Sequence, residues 1–550
     1  MIQASAKKAK NGFLSGVAVL TASAVIVKLI GVLYKIPLVG LVGIEGMAYF
    51  LAAYHIYTLL FMISSSGLPV AVSILVSKRS AEGDERGAEE VFFSSLKLFF
   101  AVGLVGCLFL LLFSEPIAAS IKIPEAAMSV KAIAPALLFL TVGSAVRGYF
   151  QGKGDMMPTA LSQVIEAFGK LVLGLAFARI AILLEAPDEA VSAAAIAGIS
   201  VGAAISATYL FLLKFRKSTK NVGKVKKKKS ILRDLIKISA PITLGAAVVS
   251  LSGVVDTALV SSRLQLAGIS SSDANTMYSS YGNLAIPLYN LVPALVSPIS
   301  VALTPLLTKA HTVGDREKEC ALMASAIRLC TLLAVPACFG LCIFGEQILL
   351  LLYPSQMDAI GVASPLLSVL APAVLFSCLI TLTNSLLMAY GEERKSIIST
   401  ALGIFVKICV EYFLLSDPSV NIFGAPISTL CCNIFIVCAN LYFFAKVTKR
   451  KTRIASLTVR PLIAALPSST LATFLFFYVC CTVSDAKIAF LVSFAADVIA
   501  YVFFALWNGS VTEEDLIFLP AGEKIIKIMK KIRLLRNDNE QRRKNNFIEG

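Results

Sequence analysis

From Gly12 to Trp507 the chain reads as long apolar runs, each near twenty residues or more, punctuated by short polar stretches that hold most of the charged residues. Runs of that length match the roughly 20 residues a helix needs to cross a bilayer, whereas a transmembrane β-barrel would alternate in segments of about ten. Backbone amides in lipid must be paired within their own segment, so the pattern predicts an all-α polytopic membrane protein. The spacing places spans at 13–34, 46–76, 91–113, 127–150, 158–184, 190–214, 235–262, 277–308, 319–344, 361–390, 396–416, 421–445, 459–482 and 487–508, fourteen helices in all. Two long segments carry internal prolines, Pro69 in one and Pro287, Pro293, Pro298 and Pro305 in the other. These predict kinked or broken helices, not extra spans.

The charges orient the spans. Lys and Arg gather in alternate loops: at the start, at Lys78 and Arg79, Lys153, Lys214 to Arg233, Lys309 to Lys318, Arg394 and Lys395, and Lys446 to Arg460. Intervening loops hold Glu185, Asp188, Glu189, Asp273, Asp358 and Asp417. The basic loops therefore face the cytoplasm, and both termini are expected on that side of the cell membrane. The basic start at Lys7, Lys8 and Lys10 precedes an apolar stretch that continues past Leu38 with no cleavage signal, so it is read as the first span.

Composition agrees: 57% apolar and 15% charged residues, with a mean hydropathy of +0.81, exclude a water-soluble domain. The twelve cysteines show no paired CxxC spacing, and the two histidines, His55 and His311, lie too far apart for a metal cluster. No HExxH, Walker A or GxSxG pattern is present, so neither an enzyme nor a bound cofactor is expected. Much of the net charge of +16 lies in the linker Lys214 to Ser230 and in the tail after Glu523, where Ile525, Ile528, Met529, Ile532 and Leu535 share one helical face. Each cation near an anionic leaflet contributes about 1 kcal/mol, so these segments predict contact with membrane lipids and not with nucleic acid.

An internal repeat organises the chain. APALLF at Ala134 returns as APAVLF at Ala371, an offset of 237 (371 less 134) shared by Gly154 and Gly391, Asp155 and Glu392, Ser162 and Ser399, and Lys170 and Lys407. Earlier in each copy the offset is 231 (309 less 78), joining Lys78 to Lys309, Gly83-Asp84 to Gly314-Asp315, Ser94 to Ser325, Lys97 to Arg328 and Glu115 to Glu346. The expected division is an N-lobe at 1–214, a basic linker at 215–234, a C-lobe at 235–445, two further helices within 446–510 and a basic amphipathic tail at 511–550. Six spans per copy is an even number, so the copies run parallel, and transporters built this way bind cargo between their halves.

With that organisation, VVDTALVSSRL (Val254 to Leu264) and YGNLAIPLYNLVPALVSPISVALTPLL (Tyr281 to Leu307) resemble the polysaccharide-exporter branch of the multidrug/oligosaccharidyl-lipid/polysaccharide (MOP) superfamily. Within that branch the sequence is similar to the group named for stage V sporulation protein B, which is itself similar to the lipid II flippases. The resemblance implies a MOP/MATE-like fold and an alternating-access flippase acting on a lipid-linked saccharide, with a multidrug exporter of the same fold as the alternative. A membrane glycosyltransferase would want acidic motifs or a sizeable extramembrane loop, and the loops are short. The chain is expected to act as a monomer.

Charges inside the spans are costly, about 2.5–3.5 kcal/mol each at mid-bilayer, and so point to cargo or to a partner. Counting about 1.5 Å per residue puts Lys28, His55, Lys170 and Lys407 near mid-membrane, where cations suit a diphosphate. Lys28 has no acid four residues away, and the resemblance puts it in a cationic central cavity. Arg147 and Arg263 extend that site or anchor headgroups. Glu166 and Lys170 are spaced i, i+4, as are Lys407 and Glu411, so each lysine has a second reading as half of an ion pair on its own helix. Asn283, Asn290 and Asn384 line the cavity or join helices to one another. The resemblance adds Asp256, Glu411 and Thr429 as a candidate site for coupling to Na⁺ or H⁺, with Lys407 one turn from Glu411 as a departure from a plain sodium cage. Asp497 is expected as a polar spot on the last helix, without an assigned role.

Overall fold

A computed structural model of the chain describes residues 2–216, 230–448, 454–483 and 485–510. The central part of the basic linker and the amphipathic tail predicted at 511–550 lie outside these residues. In chain order the helices are α1 (Ile2–Ser65), α2 (Leu68–Ala81), α3 (Glu85–Ser120), α4 (Ala126–Gly152), α5 (Met157–Leu183), α6 (Asp188–Arg216) and α7 (Ser230–Leu266). They continue as α8 (Ser271–Ser279), a π-helix over Ser280–Ala285, α9 (Ile286–Val313), α10 (Arg316–Leu352), α11 (Met357–Ala389), α12 (Glu393–Leu414), α13 (Gly424–Thr448), α14 (Ile454–Val483) and α15 (Ala486–Trp507).

Twelve segments among the described residues are long and apolar enough to cross a membrane. The first, Ala22–Ala81, contains the second predicted span and the first from residue 22 onward, the rest of which lies in α1, and α5 is a helix at the predicted fifth, with Glu166, Lys170 and Arg179 along it. Each of the fourteen predicted spans is therefore helical. Gly43 divides α1 at φ 76°, ψ 167°, so the first span runs on past Lys35 instead of ending at 34. Of the predicted proline breaks, those at Pro69 and Pro287 coincide with helix restarts, whereas Pro293, Pro298 and Pro305 lie inside the continuous α9. α1 stops at Ser65 and α2 restarts with Pro69 in its first turn, where a missing N–H costs nothing. The eighth span is interrupted by the π-helix, and α9 restarts with Pro287 in its first turn.

The repeat is written into the backbone. Gly83 and Gly314 take positive φ at 74° and 75°, as do Gly154 and Gly391 at 79° and 72°. Side chains rarely adopt this conformation, which explains glycine at all four turns. Asp84 caps α3 by accepting from Gly87 N, and Asp315 caps α10 by accepting from Lys318 N. The two hexapeptides place Pro135 within α4 and Pro372 within α11.

The chain forms two compact units, Met1–Ser279 and Ser280–Gly550. In the first, Val72, Phe92, Phe99, Tyr149, Leu210 and Leu235 form a core shared by α2, α3, α4, α6 and α7. Thus α7 packs with the first unit, although the repeat groups it with the second copy. Lys214, which begins the basic run in sequence, belongs to α6 and is buried; it meets Glu89 at 2.6 Å and lies 4.0 Å from the Tyr149 ring centroid. In the second unit α14 and α15 pack on α10 through Val335, Ala464, Ala465, Tyr501 and Ala505.

Candidate functional site

The first unit gathers charges at the middle of α5. Lys170 sits there because α5 is continuous from Pro158 in its first turn to Leu183, with no internal breaker. Its Nζ lies 4.9 Å from the centroid of Tyr34 and 5.4 Å from that of Tyr54, both on α1. Aromatic faces attract an ammonium by about 0.5–2 kcal/mol without cancelling its charge. Lys35, also on α1, lies within electrostatic reach of Lys170. Tyr34 is held by a hydrogen bond to the Ala195 carbonyl at 3.3 Å and rests against Gly174, where an added Cβ would come within 2.8 Å of its hydroxyl.

Glu166 does not pair with Lys170. The Arg147 guanidinium donates to Glu166 Oε2 at 2.8 Å, to Ser162 Oγ at 2.9 Å and to Ser206 Oγ at 3.2 Å, tying α4 to α5 and α6. This overturns the ion pair that the i, i+4 spacing suggested: a guanidinium fork from another helix outcompetes a flexible ammonium on the same one. All three of these Arg147 contacts lie within the first unit. Among the described residues no carboxylate lies within 4.0 Å of the Lys170 ammonium.

The other predicted residues of this unit are spread out. Lys28 is exposed on α1. It precedes Lys35 by seven residues, two helical turns on the same face. His55 is tied to α7 and α8 by Thr257 Oγ1 at 2.9 Å and Tyr278 OH at 3.3 Å from its Nδ1. Asp256 and Arg263 are half-buried along α7. The useful residues missed in the sequence are Lys35, Tyr34 and Tyr54, and Lys28 and Lys35 at i, i+7 were the available signal for the first.

In the second unit Lys407 and Glu411 are both buried on α12, at 8% and 0% exposure. Tyr289 of α9 is within electrostatic reach of Lys407. A polar face of α13 runs beside them. Thr429 meets Tyr281 OH at 3.2 Å, Asn433 donates to Tyr289 OH at 2.7 Å and to the Ala373 carbonyl at 3.2 Å, and Asn440 donates to Thr383 and Asn384. Asn384 also accepts from Ser396 at 2.7 Å, so it joins helices. Asn283 is buried in the π-helix and Asn290 is exposed on α9. Asp497 is buried on α15 with Ser468 of α14 as its hydrogen-bonding neighbour. Among the described residues no three His, Cys, Asp or Glu side chains gather as a metal would need. N433A is expected to cost about 0.6–1.7 kcal/mol, the range for an intramembrane hydrogen bond, read as a lower unfolding temperature in detergent. An unchanged unfolding temperature would remove Asn433 as a tie between α9, α11 and α13.

The chain matches the family model described as polysaccharide biosynthesis protein over residues 13–311 and the MatE model over residues 241–413. It is 26% identical over 429 residues to stage V sporulation protein B of Bacillus subtilis (strain 168), covering 76% of this chain and 81% of that protein. It is 24% identical over 460 residues to the lipid II flippase MurJ of the same organism, covering 79% and 82%. A solved structure of the lipid II flippase MurJ in an inward closed conformation superposes with a TM-score of 0.68 at 15% identity, covering 88% of this chain and 97% of that one, which shows a common fold. The protein is thus a multi-pass membrane protein, and with the first model spanning more than half of its residues it belongs to the polysaccharide biosynthesis protein family of the MOP superfamily.

Proposed function

We propose that this chain is a flippase that carries a lipid-linked saccharide of the polyprenyl diphosphate type across the cytoplasmic membrane by alternating access. The observation that carries the proposal is Lys170, an intramembrane cation seated on two tyrosine rings with no carboxylate beside it among the described residues, and with a second lysine in electrostatic reach. Holding a cation in a low dielectric with no carboxylate beside it is unfavourable, and a diphosphate relieves it. One relative's own designation, a lipid II flippase, supports the same class. No covalent step is required: the Lys170 ammonium holds the charged head while the polyprenyl tail stays in lipid.

The orientation with both termini cytoplasmic, action as a monomer without nucleic acid, and coupling to Na⁺ or H⁺ are parts of the same proposal. The test reconstitutes the full chain in vesicles and follows a fluorescent polyprenyl diphosphate saccharide to the opposite leaflet. Protein-dependent translocation is expected. Export of a cationic dye with no movement of the lipid would replace the proposal with a multidrug exporter.

A further inference from the structure

Glu166 and Lys170 are one turn apart on α5, a spacing at which their Cβ atoms lie about 5–6 Å apart and the side chains meet readily. Yet Glu166 is turned to Arg147 at 2.8 Å, and the side chains of that pair are only 11% and 28% exposed. The arrangement is over-determined. The Arg147 fork also takes Ser162 and Ser206, and Ser206 donates in turn to the Ser162 carbonyl at 2.8 Å. A simpler helix would let Lys170 neutralise Glu166, and an ammonium so neutralised would have little attraction left for an anion.

We infer that Arg147 is a positioning residue for cargo binding: by holding Glu166 it keeps the neighbouring carboxylate off Lys170 and leaves that ammonium, seated on Tyr34 and Tyr54, for an anionic head group. The inference rests on the proposed transport of a lipid diphosphate, and it extends that proposal to a residue that need not touch the cargo. Removing the guanidinium frees Glu166 to swing one turn along α5 onto Lys170. Removing both members of the pair leaves Lys170 as it is in the wild type. The phenotype of Arg147 should therefore depend on whether Glu166 is present, which a role in packing alone does not require.

The test uses the full chain with R147Q, the double variant R147Q/E166Q, R147K and K170A. Two quantities are read: translocation of the labelled polyprenyl diphosphate saccharide in vesicles, and the rate at which an amine-acylating reagent modifies Lys170, followed by mass spectrometry. R147Q is expected to slow translocation about tenfold, corresponding to roughly one charge-assisted hydrogen bond rearranged, and to slow acylation of Lys170. The double variant is expected to recover both. R147K keeps a cation beside Glu166 and should label Lys170 at the wild-type rate, which keeps the inference testable even where R147Q does not fold. Acylation unchanged in R147Q, a double variant as slow as the single, or slowed acylation in R147K overturns it. Wild-type translocation by K170A overturns the proposed cargo site instead, while the acylation rates still decide the pairing of Glu166.

Discussion

K170E is expected to abolish translocation of the labelled lipid-linked precursor, with an initial rate at least roughly a hundredfold below wild type, a loss of about 2.7 kcal/mol or more. The magnitude follows from what the substitution does at one point. It removes the ammonium from over Tyr34 and Tyr54, where the ring centroids lie 4.9 and 5.4 Å away, and places a carboxylate there. A charge pair at about 4 Å contributes about 4 kcal/mol at an effective dielectric constant of 20, so turning attraction for a diphosphate into repulsion readily exceeds a hundredfold. K170A should fall in between, because it removes the attraction without adding a repulsion. The fold should survive K170E, since Arg147 still holds Glu166. The check is the vesicle assay beside an unfolding curve in detergent; a stable K170E that still moves the precursor would end the assignment of Lys170 to cargo.

Lys407 is the repeat counterpart of Lys170, and the two have different surroundings. Lys170 is half-buried beside aromatic rings, whereas Lys407 is 8% exposed on α12, one turn from a fully buried Glu411. A duplicated lysine kept its register in both copies while its surroundings diverged. Sequence symmetry predicted equal candidates, and environment made them unequal.

The parts that sequence revealed are those with local causes. Gly83 and Gly314, Gly154 and Gly391, and the caps Asp84 and Asp315 each answer to the backbone within a few residues, so two copies in register exposed them. The breaks before Pro69 and Pro287 were legible for the same reason. The partner of Glu166 was not, because helical spacing displays the neighbour four residues along and hides Arg147, which approaches from α4. Lys35 was hidden differently. Hydropathy ended the first span at 34, one residue short, and made an intramembrane lysine look like part of a loop; only the helix continuing to Gly43 returns it to the membrane. Tyr34 and Tyr54 sit in apolar runs, where aromatic residues ordinarily read as packing.

The contact between α5 and α6 is where a small change should do the greatest structural harm, and G198V is expected to prevent the first unit from assembling. A Cβ on Gly198 would lie 2.3 Å from Gly174 N and 2.4 Å from Gly174 Cα, backbone atoms that no rotamer change can move aside. The same seam continues one turn on: a Cβ on Gly202 would meet the Glu166 carbonyl and Lys170 N at 3.0 Å each. Small residues let membrane helices approach until their backbones touch, and this is how α6 holds the turn of α5 that presents Lys170. Overpacking typically costs about 1–3 kcal/mol, and backbone against backbone belongs at or beyond the upper end because the helices must separate. Separation would also withdraw Gly174 from Tyr34, and with it the ring on which Lys170 rests. G361A is the matched control, since a Cβ there meets nothing within 4 Å on α11; it should be neutral or stabilising by up to about 1 kcal/mol through helix propensity. The measurement is the fraction recovered as a monodisperse peak in detergent together with its unfolding temperature. Wild-type recovery and unfolding of G198V would show that α5 and α6 pack more loosely than their glycines imply.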